Sequence, residues 1–287
     1  MPSVKALCLA ENETSHDGGV IPMQIVVSVP REIRKRAVEL NNPFLAGLMA
    51  LVLVQQAFIL SGCDYIAQTR VLAQVLQTSG ESFVANSEQV GAARTPLRLN
   101  STIRPGQVVE TTSGATAMVS LLPGMVLLLN PETVIKIDNL RLITDRRAAF
   151  YYIQSRQAIV RLIRGSASVT TPPTVESAEL RIITPAGALV APRATCFYIR
   201  VGSDAVHVTA AKGQFTFQSK SGGAAQKLDQ GYYEHWSSAT GATTSAPQAA
   251  EGNGDASRQL KQALELEHSV SDLLSQRGNV LPGFASP

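Results

Sequence analysis

Ala115–Leu129, ATAMVSLLPGMVLLL, decides the fold class of this chain. Ala115, Ala117, Val119 and Leu121 alternate with Thr116, Met118 and Ser120. A period of two is the pattern of a half-buried strand, because successive side chains of a strand point to opposite faces. Pro123-Gly124 then makes a tight turn, and Met125–Leu129 follows as a more uniformly apolar strand. Working outward, Asn130-Pro131 breaks the run and Thr133–Ile137 resumes it. Further strand-like runs are Ile159–Ile163, Ser166–Thr170, Leu180–Ile183, Thr195–Val201, Ala205–Thr209 and Gln214–Gln218. Turns are expected at Arg164-Gly165, Gly202-Ser203-Asp204 and Lys212-Gly213, and Phe215 and Phe217 share one face. Short strands at this spacing predict an all-β domain of sandwich, barrel or solenoid type over residues 87–236.

Upstream lies one long apolar run, Phe44–Cys63, FLAGLMALVLVQQAFILSGC. A helix of that length reaches about 30 Å, the thickness of a bilayer's hydrocarbon. The basic flank Arg31-Glu32-Ile33-Arg34-Lys35-Arg36 predicts that residues 1–43 stay on the cytoplasmic side and that everything after residue 63 is exported. Residues 64–86 read as a helix, Tyr65–Gln77, and a polar tether. Residues 237–256, SSATGATTSAPQAAEGNGDA, have the composition of a flexible linker. Ser257 is positioned to cap a last helix, Arg258–Gln276, within the segment 257–287; docking of that helix on the β domain is favoured over a partner-binding role.

Composition excludes several functions. The chain carries 25 Lys/Arg against 22 Asp/Glu with no basic stripe, which argues against nucleic acid. The cysteines are Cys8, Cys63 and Cys196, and Cys196 sits in an apolar run, the setting of an inert buried thiol. His207 and His235 have no Cys or paired carboxylate at ligand spacing, so neither a metal nor another cofactor is expected. Arg164-Gly165-Ser166-Ala167-Ser168 lacks the nucleophile-elbow pattern, and no catalytic set is found. An enzyme would require Glu110, Glu132, Glu176, Glu179 and Asp204 to converge in a cleft. The candidate ligand-contact patch is Tyr232, Tyr233, His235 and Trp236, since aromatics with polar tips suit carbohydrate or peptide; the alternative is a closing strand that plugs the domain.

Two resemblances follow from quoted residues. Leu60-Ser61-Gly62-Cys63 resembles the lipobox of bacterial lipoproteins, which implies cleavage before Cys63 and lipidation of its thiol; a retained signal anchor is the alternative. Gly106, Thr111, Ala115, Ala117, Leu121, Gly124, Val126, Leu128, Pro131 and Thr133 resemble the first block of the FecR domain. Ile163–Ala167, Ile183–Gly187, Ala194–Phe197 and Val206–Gly213 resemble later blocks, with Ala194 where that family usually has Gly. The resemblance implies an exported β module anchored to the bacterial envelope by lipid or by a single helix. It implies non-enzymatic binding or scaffolding, with envelope proteins or cell-wall glycan as partners. Its alternative is a single-pass regulator relaying an envelope signal to a cytoplasmic sigma factor, as classical members do.

Overall fold

A computed structural model describes residues 65–276 except 89–92, 148–149 and 174–176. Residues 1–64, with the apolar run and Cys63, and the tail after residue 276 lie outside the described residues.

The strands are β1 (Tyr65–Arg70), β2 (Ala73–Ser79), β3 (Ser82–Ala85), β4 (Arg94–Pro96), β5 (Thr102–Ile103), β6 (Val108–Thr111), β7 (Thr116–Leu122), β8 (Met125–Leu129) and β9 (Val134–Arg147). They continue with β10 (Phe150–Thr170), β11 (Ser177–Ile183), β12 (Gly187–Pro192), β13 (Cys196–Val201), β14 (Ala205–Lys212), β15 (Phe215–Ser219), β16 (Gln226–Leu228), β17 (Tyr232–Ser237) and β18 (Gln248–Ala249). One helix follows, α1 (Gly254–Gln276).

The all-β expectation is met by two sheets. In the first, pairing runs β4–β3–β6–β9–β10–β11–β12–β15–β16, and β1 pairs with residues 141–146 of β9 beyond the stretch taken by β6. In the second it runs β5–β2–β7–β8–β10–β13–β14–β17–β18. Both are open: among the described residues, β4, β16, β5 and β18 each pair on one side only.

β10 belongs to both sheets. It pairs with β9 as far as Arg164 and with β13 from Gly165 onward. The sequence reading placed a strand-to-strand turn at Arg164-Gly165; the structure has instead a bend inside one strand of 21 residues. Gly165 makes the bend at φ 87°, and a Cβ there would lie 2.5 Å from the Cα of Thr133. Only glycine satisfies both conditions. The bend also explains the one parallel pair among the described residues, β10 with β11. Parallel neighbours need a crossover of about a dozen residues, and it begins where β10 passes into the second sheet at Gly165.

Inner faces meet in a single core. Val119, Leu121, Leu127 and Leu129 of the second sheet pack with Ile135, Ile137, Val160 and Leu162 of the first. Two aromatic pairs join the sheets directly. Phe197 meets Phe215 edge-on at 4.7 Å between centroids, and Trp236 stacks on Phe217 at 4.1 Å. Phe215 and Phe217 thus share the inner face, as their spacing predicts.

One corner motif occurs twice. Thr111 Oγ1 donates to the Asn130 carbonyl and accepts from the Thr133 amide. Thr171 Oγ1 donates to the Pro192 carbonyl and accepts from the Thr195 amide. In both corners the residue before the second threonine is left-handed, Glu132 at φ 59° and Ala194 at φ 56°. In both, a glycine stands over it: Gly165 above Glu132–Thr133 and Gly213 above Ala194–Thr195. Ala194 therefore keeps a conformation that favours glycine.

Three expectations are corrected. Tyr65–Gln77 is not a helix: it holds β1 and β2, and the supposed tether holds β3. Ala73 and Val75 are fully buried on either side of Gln74, a period of two hidden by the neighbouring Val71, Leu72 and Leu76. Strands β1 to β3 therefore belong with the β domain, which was expected to start at 87. Residues 237–256 are not a flexible linker. Ala250 is fully buried and its amide donates to the Gly231 carbonyl, and Trp236 bridges to Thr243. The helix starts earlier than expected, because Asn253 Oδ1, not Ser257, accepts from the first free amides, of Asp255 and Ala256, both at 3.1 Å.

As the sequence favours, α1 docks on the β domain. Leu266 and Val270 cover Met118 and Val126, Ala263 covers Cys196, Tyr198 and Ala211, and Ala256 approaches Tyr233. Polar pairs fix the register: Lys212 with Glu267, Thr209 with Gln259, and Gln262 with Asn130, each at 2.6 Å. Met118, on the face of β7 that alternation turns away from the core, is buried for this reason.

Candidate functional site

The outer face of the first sheet carries no helix among the described residues. Alternation along its strands leaves Phe83, Val108, Glu110, Val134, Ile163 and Arg164 lining a groove of about 320 Å³. Glu110 and Arg164 also line a second hollow of about 660 Å³ at the end of the sandwich, with Glu132, Tyr198 and Arg200.

Glu110 is the centre of the groove. Arg164 Nη2 donates to its Oε1 at 2.8 Å, and Arg94 lies 3.1 Å from its Oε2. Lys136 pairs with Glu88 at 3.0 Å, and Arg161 with Asp138 at 3.2 Å. Arg94 and Arg164 are more than half exposed, so their pairs with Glu110 add little stability. Their chemistry suits recognition: arginine forks beside aliphatic surface can exchange an internal carboxylate for a partner's. Glu110 and Glu132 do border one hollow, whereas Glu179 lies on β11 and Asp204 precedes β14. Glu176 lies outside the described residues. Glu110 is held as a salt-bridge acceptor, and the other carboxylate that lines the groove, Glu88, is paired with Lys136.

The expected aromatic patch does not form one surface, because alternation along β17 divides it. Trp236 is fully buried, with Nε1 donating to Gln226 at 2.6 Å. Tyr233 is almost buried; its hydroxyl meets Gln248 and accepts from Asn253 at 3.0 Å, tying the last segment to the sheet. Tyr232 alone is well exposed, at 43%. Glu234 points inward beside Trp236; Thr243 donates to its Oε1 at 2.7 Å, and burial pushes its carboxyl up.

His207 and His235 are cross-strand partners. Their rings meet edge to face at 4.2 Å, with the two Nδ1 atoms in hydrogen-bond contact. Arg200 stands opposite His207 on the other side. Burial, then the neighbouring His235 and Arg200, pushes His207 below its ordinary range, and burial does the same to His235. Nothing in the sequence signals this pair, since the residues meet only through the register of β14 and β17. Among the described residues no group of three His, Cys, Asp or Glu is arranged to hold a metal. Cys196 is buried, donates to the Ala263 carbonyl at 3.0 Å, and is pushed up to about 12 by burial and then by Glu267; it is an inert thiol.

No curated protein matches the chain. Among solved structures, two crystal structures of a candidate anti-sigma factor from Parabacteroides distasonis, at 1.65 and 2.50 Å, are similar over 50% of this chain, with 14% and 12% identity. The TM-score is 0.36 for each, and the similarity spans 59% of those chains. Residues 107–215 match the FecR protein family. The matched stretch begins just before the first threonine corner and ends just after the second, and it takes in the bend of β10. Residues 107–215 of this chain are a FecR domain.

Proposed function

We propose that this chain is a regulator of FecR type, anchored in the bacterial envelope by the apolar run at 44–63, with its β domain exported as a non-catalytic reader of a protein signal. The FecR domain over 107–215 carries the reading. The groove around Glu110 and Arg164 supports it, offering arginines and aliphatic surface to a partner with carboxylate groups. Chain continuity supports it too: one residue, Asp64, separates Cys63 from β1, where a tether was expected. Membrane, periplasmic side and signal relay are all part of this reading.

A second reading is favoured by Leu60-Ser61-Gly62-Cys63, which ends the apolar run as a lipobox would. On that reading the FecR domain is a lipid-held binding or scaffold module facing envelope proteins or cell-wall glycan. Labelling cells with a radioactive fatty acid separates the two. The regulator reading expects an unlabelled chain that retains residues 1–62. Label in the wild type that is lost in Cys63→Ala would overturn it in favour of the lipoprotein.

A further inference from the structure

Alternation sorts the outer face of the second sheet into rows. Ala167, Ile199, Val201, Val206, Val208 and Trp236 point into the core, so their neighbours along each strand point out. One outer row is Ser168–Tyr198–Thr209–Tyr233, set by the registers of β10, β13, β14 and β17. α1 lies on this row: Ala263 packs on Tyr198, Thr209 donates to Gln259, and Ala256 approaches Tyr233. The next row, two residues along each strand, is Ser166–Arg200–His207–His235. It lies outside the helix: Arg200 is exposed, and Ser166, His207 and His235 are half-buried. At the usual strand spacing it is about 14 Å long.

The row is made of hydrogen-bond donors. Asn130 Nδ2 donates to Ser166 Oγ at 3.1 Å, which leaves the hydroxyl proton for another acceptor. In the neutral histidine pair one Nδ1–H donates to the other Nδ1. The accepting ring then carries its proton on Nε2, and the donating ring has a bare Nε2. One added proton binds at that bare nitrogen. The pair then carries a positive charge and two Nε2–H donors, with the Nδ1 contact kept. Because its Nδ1 faces His235, His207 turns its Nε2 away from that ring, towards the side where Arg200 stands. Burial holds both rings below their ordinary range, so the added proton arrives below pH 6.5.

What the row lacks is an acid. On the first sheet Arg94, Arg164, Arg161 and Lys136 are each paired with a carboxylate. Among the described residues Arg200 is paired with none, and the charges that act on His207 are those of His235 and Arg200. Glu234 points inward and accepts from Thr243, and Asp204 sits in the turn before β14. On α1, Asp255 is held by Arg258, and Gln259 is uncharged. Tyr233 packs edge-on against His235 at 5.3 Å. Beyond Arg200 the row opens into the hollow of about 660 Å³. Of the two acids that line it, Glu110 is bound to Arg164 and Arg94, and Glu132 lies at the corner. Arg200 and a protonated histidine pair thus present two uncompensated positive charges side by side, which match a dianion.

We propose that Arg200 and His207, flanked by Ser166 and His235, form a binding site for an oxyanion of phosphate or sulfate type. The hollow beyond Arg200 leaves room for the molecule that carries the group. The ligand is held more tightly in acid, as the second imidazole donor and its charge appear.

The test uses the full chain in neutral detergent micelles, with sodium sulfate as the probe. Sulfate keeps its charge between pH 7.5 and 5.5, so any pH dependence belongs to the protein; sodium chloride at equal ionic strength is the blank. Imidazole proton NMR signals of His207 and His235, assigned with His207→Gln and His235→Gln, follow binding. Sulfate should bind roughly tenfold tighter at pH 5.5 than at 7.5, and it should raise the pH at which the pair titrates. Arg200→Gln should weaken it roughly tenfold, whereas Lys227→Gln, exposed on β16, should leave it unchanged. Phosphatidylglycerol added to the micelles separates two sources of the group. Signals that shift with this lipid, and lose the shift in Arg200→Gln, assign the site to a headgroup; signals that answer only to soluble sulfate assign it to a soluble ligand. Chloride acting as sulfate does, or equal sulfate binding by Arg200→Gln and Lys227→Gln, overturns the site.

Discussion

The two sheets are equally apolar on their inner faces and opposite on their outer ones. The second sheet turns Met118, Val126, Tyr198 and Cys196 outward, and α1 covers them. The first turns outward a mixture: Val108, Val134 and Ile163 interleaved with Glu110, Lys136 and Arg164, and the groove lies open. A strand face that is apolar throughout must be covered from within the chain. A face that alternates aliphatic and charged residues can stay in water and still bind. The difference puts the covering helix on one side of the sandwich and the open groove on the other.

The largest expected effect breaks the joint between the sides. Gly165→Ala puts a methyl into the backbone of Thr133 at a left-handed position. Urea unfolding should show a loss of roughly 3–4 kcal/mol, and a loss under 1 would mean that the bend can relax. Next comes a direct contrast of the faces. Leu266→Ala empties a site between α1 and the second sheet and should cost about 3 kcal/mol. Val190→Ala, half-buried on the open face of β12, should cost less than about 1 kcal/mol. Equal costs would erase the distinction.

A smaller effect has the opposite sign. Ala194→Gly relieves a left-handed alanine and should raise stability by about 1 kcal/mol, read as a higher urea midpoint. No gain would show that Thr195 and Gly213 hold the corner without strain.

The smallest is a pH dependence at the margin of the covered face. Both histidines are held below the ordinary value of 6.5, so below that pH the unfolded chain binds more protons than the folded one. Their contribution to stability is complete above pH 6.5 and is lost as pH falls through it towards the lower folded values. Buried Glu234 works the other way, because its raised carboxyl favours the folded state in acid. The difference between wild type and His207→Gln isolates the histidines: the variant should lose less stability between pH 7.5 and 5. Identical slopes would mean that the pair does not couple to folding.

Much of this was legible in sequence. The alternation at 115–121 and the uniform run at 125–129 locate β7 and β8 because side-chain period alone separates a strand from a helix. The glycines at 106, 124, 165 and 213 mark true left-handed positions. Three things were not legible, for physical reasons. The continuity of β10 was hidden because a glycine that bends a strand looks like one that ends it. The order in 237–256 was hidden because a polar segment can be fixed by backbone hydrogen bonds and one buried alanine, Ala250, which composition does not weigh. At the candidate sites, the separation of Trp236 from Tyr232 follows from alternation and could have been read. The meeting of Glu110 with Arg164, and of His207 with His235, depends on register between distant strands and could not.

The membership of β10 in both sheets has one more consequence. Its residues from Ile153 to Thr170 supply the hydrogen-bond partners of β9 and β11 on one side and of β8 and β13 on the other. Amides of the two sheets should therefore exchange with deuterium in one cooperative step, with no sub-global opening in which one layer melts and the other survives. A disturbance received at the groove cannot be absorbed by loosening its own layer. It is either resisted by the whole sandwich or passed on as rigid-body movement.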